Sequence, residues 1–167
     1  PRRFAGWIAA ALVAVLAYAG LRLSELAWLR TGDLDLQRGT LWVTTVEDQE
    51  GGRHKIKTLH ARRTVNLHPE LLWPLMKDYH AKGQFGEQAL FPVPATDRRI
   101  RRKESNPERW RVDTLSNKLR TLLDTPNSGI MPLTLRHTFG SLLLRAGRSV
   151  TEVSAAMGTR KRTSTSG

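Results

Sequence analysis

The sequence contains no cysteine, and its five histidines are scattered. Without cysteine, neither a disulfide framework nor a thiolate metal site can form, which is compatible with a reducing compartment. The histidines lie at positions 54, 60, 68, 80 and 137, and no two of them have the spacing of metal ligands. We therefore predict neither a structural nor a catalytic metal site.

Acidic residues are also scarce relative to basic ones. The 167 residues include 15 Asp and Glu against 27 Lys and Arg, which gives a net charge of +12 and a pI of about 11.2. Such a surplus favours a polyanionic partner, either a nucleic acid or an anionic membrane surface. The length is typical of one domain with a sizeable hydrophobic core.

One long apolar run covers residues 4–21 and follows two arginines. A basic flank, an apolar centre and the small residues around Tyr18 are also found in secretory signals and marginal membrane helices. The run is, however, rich in alanine and continues without a polar spacer into Gly20 and Arg22. We therefore predict a buried core helix, with membrane insertion as the less favoured alternative.

The residues after this run predict a rigid corner around Arg22. Gly20 can adopt a positive φ and end one helix, while Ser24 and Glu25 favour the first turn of the next. Glu25 follows Arg22 by three residues, within reach of its guanidinium. A fixed, permanently charged guanidinium is suited to binding a phosphate, although a surface arginine beside a helix start has the same local pattern.

The remaining patterns predict strands, helices and basic segments. Strands are expected at 40–46 and 63–67, and helices from Pro69 to about Lys82 and from Trp110 to Leu123. The expected fold class is α+β, mainly α: a helical bundle with a small antiparallel β-sheet. Basic residues in two of the basic segments are predicted to contact the polyanionic partner: Lys55, Arg62, Arg63, Arg98, Arg99, Arg101, Arg102 and Lys103. For 98–103, a solvated charge run or a nuclear-import-like string is the alternative.

A further helix is predicted over residues 132–144. Its apolar residues, Leu135, Phe139, Leu142 and Leu143, are expected to be buried, so that Arg136 projects from the first turn.

Three segments together resemble the active-site motifs of tyrosine recombinases, the phage integrase family. Residues 19–35 resemble the first motif, a Gly-Leu-Arg-x-x-Glu-Leu run whose arginine is Arg22 and whose glutamate is Glu25. Residues 57–67 are similar to the Lys-Thr-x-x-x-x-Arg-x-Val-x-Leu segment, in which the catalytic lysine corresponds to Lys57, with Lys55 as second choice. Such a lysine can protonate the leaving 5′-oxygen.

The third segment, residues 133–139, resembles the family's His-x-Leu-Arg-His-Thr-Phe motif. It identifies Arg136 as the second catalytic arginine and His137 as a supporting residue. The resemblance implies a tyrosine-recombinase catalytic domain over residues 1–158, which cleaves and rejoins DNA through a 3′-phosphotyrosyl intermediate without any cofactor. It implies duplex DNA and other recombinase protomers as partners and a cytoplasmic location, associated with the nucleoid if the source is a bacterium or a phage.

The sequence also departs from the family pattern. Leu133 and Thr159 stand where most members have histidines, so two acid/base groups are missing. Residues 159–167 are expected to form a polar, disordered tail. The family's nucleophilic tyrosine would follow Gly167, its N-terminal DNA-clamping domain has no counterpart here, and Tyr18 and Tyr79 are expected in unrelated helices. The chain as given is therefore expected not to cleave DNA.

Three function classes follow from these patterns. The first is a recombinase catalytic domain that is impaired or truncated. The second is a DNA-binding or partner-binding module that uses the same surface without cutting. The third and least favoured is a membrane-anchored basic protein built on residues 4–21.

Overall fold

The computed structural model describes residues 2–43, 62–83, 89–94, 109–123 and 131–159. Within these ranges the helices are α1 (Arg2–Ala19), α2 (Leu23–Trp28), α3 (Leu72–Ala81), α4 (Val112–Leu123), α5 (Pro132–Arg145) and α6 (Val150–Ala156). The strands are β1 (Leu34–Asp35), β2 (Thr40–Val43) and β3 (Arg63–Asn66), and a 3-10 turn, Thr31–Asp33, precedes β1. The fold is therefore mostly helical with one small sheet, as predicted.

Helix α1 lies at the centre of the hydrophobic core. It packs against α2, α3, α4 and α5. Its buried side chains recur every three or four residues, which is one face of a helix: Ile8, Ala11, Leu12, Val15, Leu16 and Ala19. The prediction of a buried helix over the apolar run is thus confirmed. Among the described residues, no helix has the length and apolar character needed to cross a membrane.

The sheet is antiparallel, with strand order β1-β2-β3. Strand β1 was not predicted, because a strand of two residues carries almost no periodic signal. In β2 and β3, Leu41 pairs with Val65 and Val43 pairs with Arg63. Side chains alternate between the two faces of a strand, and Leu41, Val43 and Val65 are all buried. Arg63 therefore lies on the buried face of the sheet.

Helix α3 begins later than predicted. The carbonyl of His68 accepts hydrogen bonds from the N–H groups of Leu72 and Trp73, both at 3.0 Å, so the residues from Pro69 form a turn before the helix. Pro74 occupies the third position of α3, where a missing N–H costs no intrahelical hydrogen bond.

The buried face of α5 differs from the predicted one. Pro132, Arg136 and Gly140 are its buried residues, whereas Leu142 is 46% exposed. A Cβ at Gly140 would lie 2.9 Å from Sδ of Met157, so the glycine allows the segment after α6 to pack closely on α5. The prediction is wrong for Leu142 and Arg136, because an apolar pattern does not show that a small residue faces the neighbouring helix. Leu135 and Phe139, in contrast, pack against the core and the Gly20 corner.

Candidate functional site

The corner between α1 and α2 fixes the backbone of Arg22. Gly20 ends α1 with a φ of 62°, as predicted for a helix-ending glycine. Arg22 has an extended backbone and is the N-cap residue of α2. Its N–H donates to Oε2 of Glu25 at 2.8 Å, and its carbonyl accepts the N–H of Leu26 at 2.9 Å. Glu25, rather than Ser24, thus caps the helix start.

Glu25 also binds arginines from three separate elements. Nη1 of Arg22 donates to Oε1 at 2.7 Å, and Arg63 donates from Nη1 to Oε1 at 3.1 Å and from Nη2 to Oε2 at 3.0 Å. Nη1 of Arg136 lies 3.8 Å from Oε2. We refer to Arg22, Arg63 and Arg136 around Glu25 as the arginine cluster. It joins α2, β3 and α5 through one carboxylate.

Backbone carbonyls hold the outer side of the cluster. Arg136 donates from Nη1 to the carbonyl of Gly20 and from Nη2 to that of Met157. Nη2 of Arg22 donates to the carbonyl of Gly158 at 2.9 Å. The turn after α6 therefore binds two arginines of the cluster, so the guanidinium groups are oriented from both sides.

The protonation states in the cluster follow from burial and neighbouring charges. Burial raises the pKa of the Glu25 carboxyl, but the hydrogen bonds and charge of Arg63, together with hydrogen bonds from Arg22, outweigh it and lower the pKa below 4.5. Burial and the charge of Arg22 lower the pKa of Arg136 to about 10, with Arg63 acting the same way and Glu25 opposing. Glu25 and Arg136 are consequently both charged at neutral pH.

Only one arginine of the cluster is substantially exposed. The side chain of Arg22 is 39% exposed, compared with 8% for Arg63, 7% for Arg136 and 6% for Glu25. Three guanidinium groups and one carboxylate leave a net charge of +2 in a largely desolvated site. Since attraction between charges is stronger away from water, an anion that reaches Arg22 meets a preorganised positive field.

The structure brings together four of the predicted site residues. Arg22, Glu25 and Arg136 share the cluster. Arg63, which was predicted as a DNA contact, is the fourth: its side chain is 8% exposed and pairs with Glu25, which disfavours that role. The sequence carried a signal for this position, because strand alternation places Arg63 on the same face as the buried Val65 and Leu67.

Other predicted residues lie beside the cluster or on the surface. Arg62 and His137 are exposed, and Leu133 is 63% exposed in the first turn of α5. Thr159 follows Gly158 directly, and its hydroxyl donates to the carbonyl of Ser154 at 3.0 Å. Thr159, assigned to the disordered tail, is therefore held by α6.

Several predicted residues lie outside the described ranges. They are Lys55, Lys57, Arg98, Arg99, Arg101, Arg102 and Lys103, together with the tail from residue 160 onward. In the part of the chain that the structure describes, no three His, Asp or Glu side chains are grouped as metal ligands would be.

The family model named Phage integrase family matches residues 5–166, which is nearly the whole chain. The chain belongs to the phage integrase family. Its arginine cluster thus lies in an integrase-family domain, at the segments whose motifs pointed to that family. No match was found among curated proteins.

Solved structures support the same fold for this integrase-family chain. It resembles XerA recombinase with 24% identity and a TM-score of 0.69, over 93% of this chain and 49% of that one. It resembles the Tn1549 transposon integrase in complex with transposon right end DNA with 20% identity and a TM-score of 0.67, over 89% and 49%. It resembles XerH recombinase bound to difH substrate with 16% identity and a TM-score of 0.61, over 93% of this chain and 40% of that one. The chain spans about half the length of these structures or less.

Proposed function

We propose that this integrase-family domain binds duplex DNA and acts in site-specific recombination, with the arginine cluster holding the scissile phosphate. The observation that carries the proposal is the geometry of Arg22: it is the exposed arginine of the cluster, and Glu25 and the Gly158 carbonyl fix its guanidinium. Two of its five N–H donors are used in these contacts, so the others can bind a phosphate oxygen.

Arg136 would act through its charge, from the buried part of the cluster. Its buried guanidinium adds positive charge close to the place where negative charge develops during phosphoryl transfer. Solved complexes of the Tn1549 integrase and XerH with DNA support duplex DNA as the partner by analogy. Within the same proposal, Lys57, or Lys55, would protonate the leaving 5′-oxygen, and the basic segments would bind phosphates. Other protomers would complete a recombining assembly. The protein would act in the cytoplasm, on the nucleoid of a bacterial or phage host.

The phosphate-binding role of Arg22 can be tested by DNA affinity. We expect the protein to bind duplex DNA. The logarithm of the binding constant should fall linearly with the logarithm of the salt concentration, with a slope of about −0.9 for each phosphate that the protein neutralises. Arg22→Ala should weaken binding by about tenfold or more at low salt, because a charge-assisted contact is lost. Fluorescence anisotropy with a labelled duplex would measure both effects.

Arg38→Ala is the matched control for Arg22→Ala. Arg38 is 84% exposed and lies in the turn between β1 and β2, with Asp35 as its ion-pair partner. Its removal takes away the same charge without touching the cluster. The proposed site would be contradicted if the two variants lost DNA affinity equally, or if DNA binding by the wild type did not respond to salt.

We further propose that the 167-residue chain forms no covalent DNA intermediate. Its two tyrosines are poor candidates for the nucleophile. The Tyr79 hydroxyl is buried and donates to the Leu90 carbonyl at 2.7 Å, and burial raises its pKa, which disfavours the phenolate. Tyr18 lies on α1, before the Gly20 turn. The second candidate function, a DNA-binding module that does not cut, is favoured by this placement.

A nicked suicide substrate distinguishes the two functions. We expect noncovalent binding and no protein–DNA adduct on a denaturing gel, with an active tyrosine recombinase as the positive control. An adduct formed by this chain would refute the prediction, and peptide mapping would identify the attacking hydroxyl.

A further inference from the structure

Arg63 makes the most complete contact with Glu25. Its two terminal nitrogens bind the two oxygens of the carboxylate at 3.1 Å and 3.0 Å, a bidentate arrangement that fixes the carboxylate plane as well as its position. Arg22 binds the same carboxylate through one side-chain contact, from Nη1 at 2.7 Å, and through its backbone N–H at 2.8 Å. Arg63 and the start of α2 therefore orient Glu25 together, and Arg63 supplies the two side-chain contacts that come from the sheet.

Gly158 provides a second connection between these two arginines. Its φ is 61°, and a Cβ at this position would lie 2.6 Å from Nη1 of Arg63. The carbonyl of the same residue accepts Nη2 of Arg22. Arg63 therefore packs directly against the turn that holds Arg22.

The register of the sheet makes Arg63 a fixed support. Arg63 pairs with Val43 across β2 and β3, and alternation directs it toward the core with Val65. Arg22, in contrast, is a long side chain that is 39% exposed, so it would lose its orientation readily without a partner.

We propose that Arg63 is a positioning residue: it orients Glu25 and the Gly158 turn, and through both it holds the Arg22 guanidinium ready to bind a phosphate. This inference rests on the proposed function for its biological role. A direct phosphate contact by Arg63 is disfavoured, because its side chain is 8% exposed and both terminal nitrogens already bind Glu25.

The test uses Arg63→Lys, which keeps the charge but removes the bidentate geometry. NMR of the DNA-free protein would show whether rotation of the Arg22 guanidinium is restricted, as separate Nη resonances. We expect separate resonances in the wild type and in the matched control Arg38→Lys, and their collapse to an averaged signal in Arg63→Lys. DNA affinity of Arg63→Lys should fall by about tenfold.

Melting curves would verify that each variant is folded. Arg63→Gln provides a second test, because it also removes the bidentate contact with Glu25. If Arg63→Gln does not fold, Arg63→Lys remains as the milder variant. Restricted Arg22 resonances in the folded Arg63 variants would overturn the inference, as would averaged Arg22 resonances in the wild type. Lower DNA affinity in Arg63→Lys with restricted Arg22 would indicate a direct contact and also overturn it. If the resonances collapse while Arg22→Ala leaves DNA affinity unchanged, the positioning role stands and the proposed function fails.

Discussion

Replacing Glu25 with glutamine is expected to lower the free energy of unfolding by about 3 to 5 kcal/mol, the cost of removing one partner from a buried ion pair. Glu25 is 6% exposed and lies within 4 Å of three guanidinium groups. Glutamine keeps the shape of the side chain but leaves these positive charges uncompensated. Urea or guanidinium chloride unfolding curves would measure the loss.

Glu152→Gln is a closely matched control. Glu152 is likewise the third residue of a short helix, accepts the N–H of Ser149 at 2.8 Å, and pairs with Arg148 at 3.4 Å. The two glutamates differ in burial and in the number of arginines that they pair with, because the side chain of Glu152 is 54% exposed and pairs with Arg148, whereas Glu25 pairs with three arginines. We expect a much smaller decrease in the free energy of unfolding for Glu152→Gln than for Glu25→Gln. Equal decreases would show that helix capping, and not the buried cluster, accounts for the effect at Glu25.

The same carboxylate predicts a pH dependence of stability. The pKa of Glu25 is lower in the folded protein than its ordinary value of 4.5, so folding favours the ionised form. Its contribution is complete above 4.5 and is lost as the pH falls through the lower folded-state pKa. The difference in unfolding free energy between wild type and Glu25→Gln should therefore narrow in acid. A difference that stays constant would contradict the assigned ionisation.

Replacing Gly20 with alanine should cost about 3 to 5 kcal/mol, from left-handed backbone strain and overpacking together. The φ of Gly20 is 62°, and a Cβ would lie 2.1 Å from Cδ1 of Phe139, so the ring or the corner must move. Because the Gly20 carbonyl binds Arg136, this movement should also weaken DNA binding. Thermal melts and the anisotropy assay would measure the two effects.

Gly83→Ala separates the effect of backbone strain from that of overpacking. Gly83 has the same φ of 62°, but no atom lies within 4 Å of its missing Cβ in the described structure. It should therefore lose only the backbone term, about 1 to 2 kcal/mol. Similar losses at the two positions would mean that the contact with Phe139 contributes little.

The sequence by itself determined the local parts of the site. Arg22 and Glu25 are three residues apart at a helix start, so their contact follows from the geometry of one turn. The apolar period of residues 4–21 was enough to indicate a core helix, and the glycine at position 20 indicated its end. The family motifs pointed to Arg136 as the distant partner, although no local pattern did so.

Only the tertiary structure decided how these parts meet. The contacts from Arg63 to Glu25, from Arg136 to Gly20 and from Arg22 to Gly158 span 38, 116 and 136 residues. Such contacts depend on how α1, α5, α6 and the sheet pack, and the apolar pattern of α5 did not show that Arg136 and Gly140 are buried. Propensity and periodicity describe neighbours along the chain, whereas a buried carboxylate is neutralised by whichever cations the fold brings within about 4 Å.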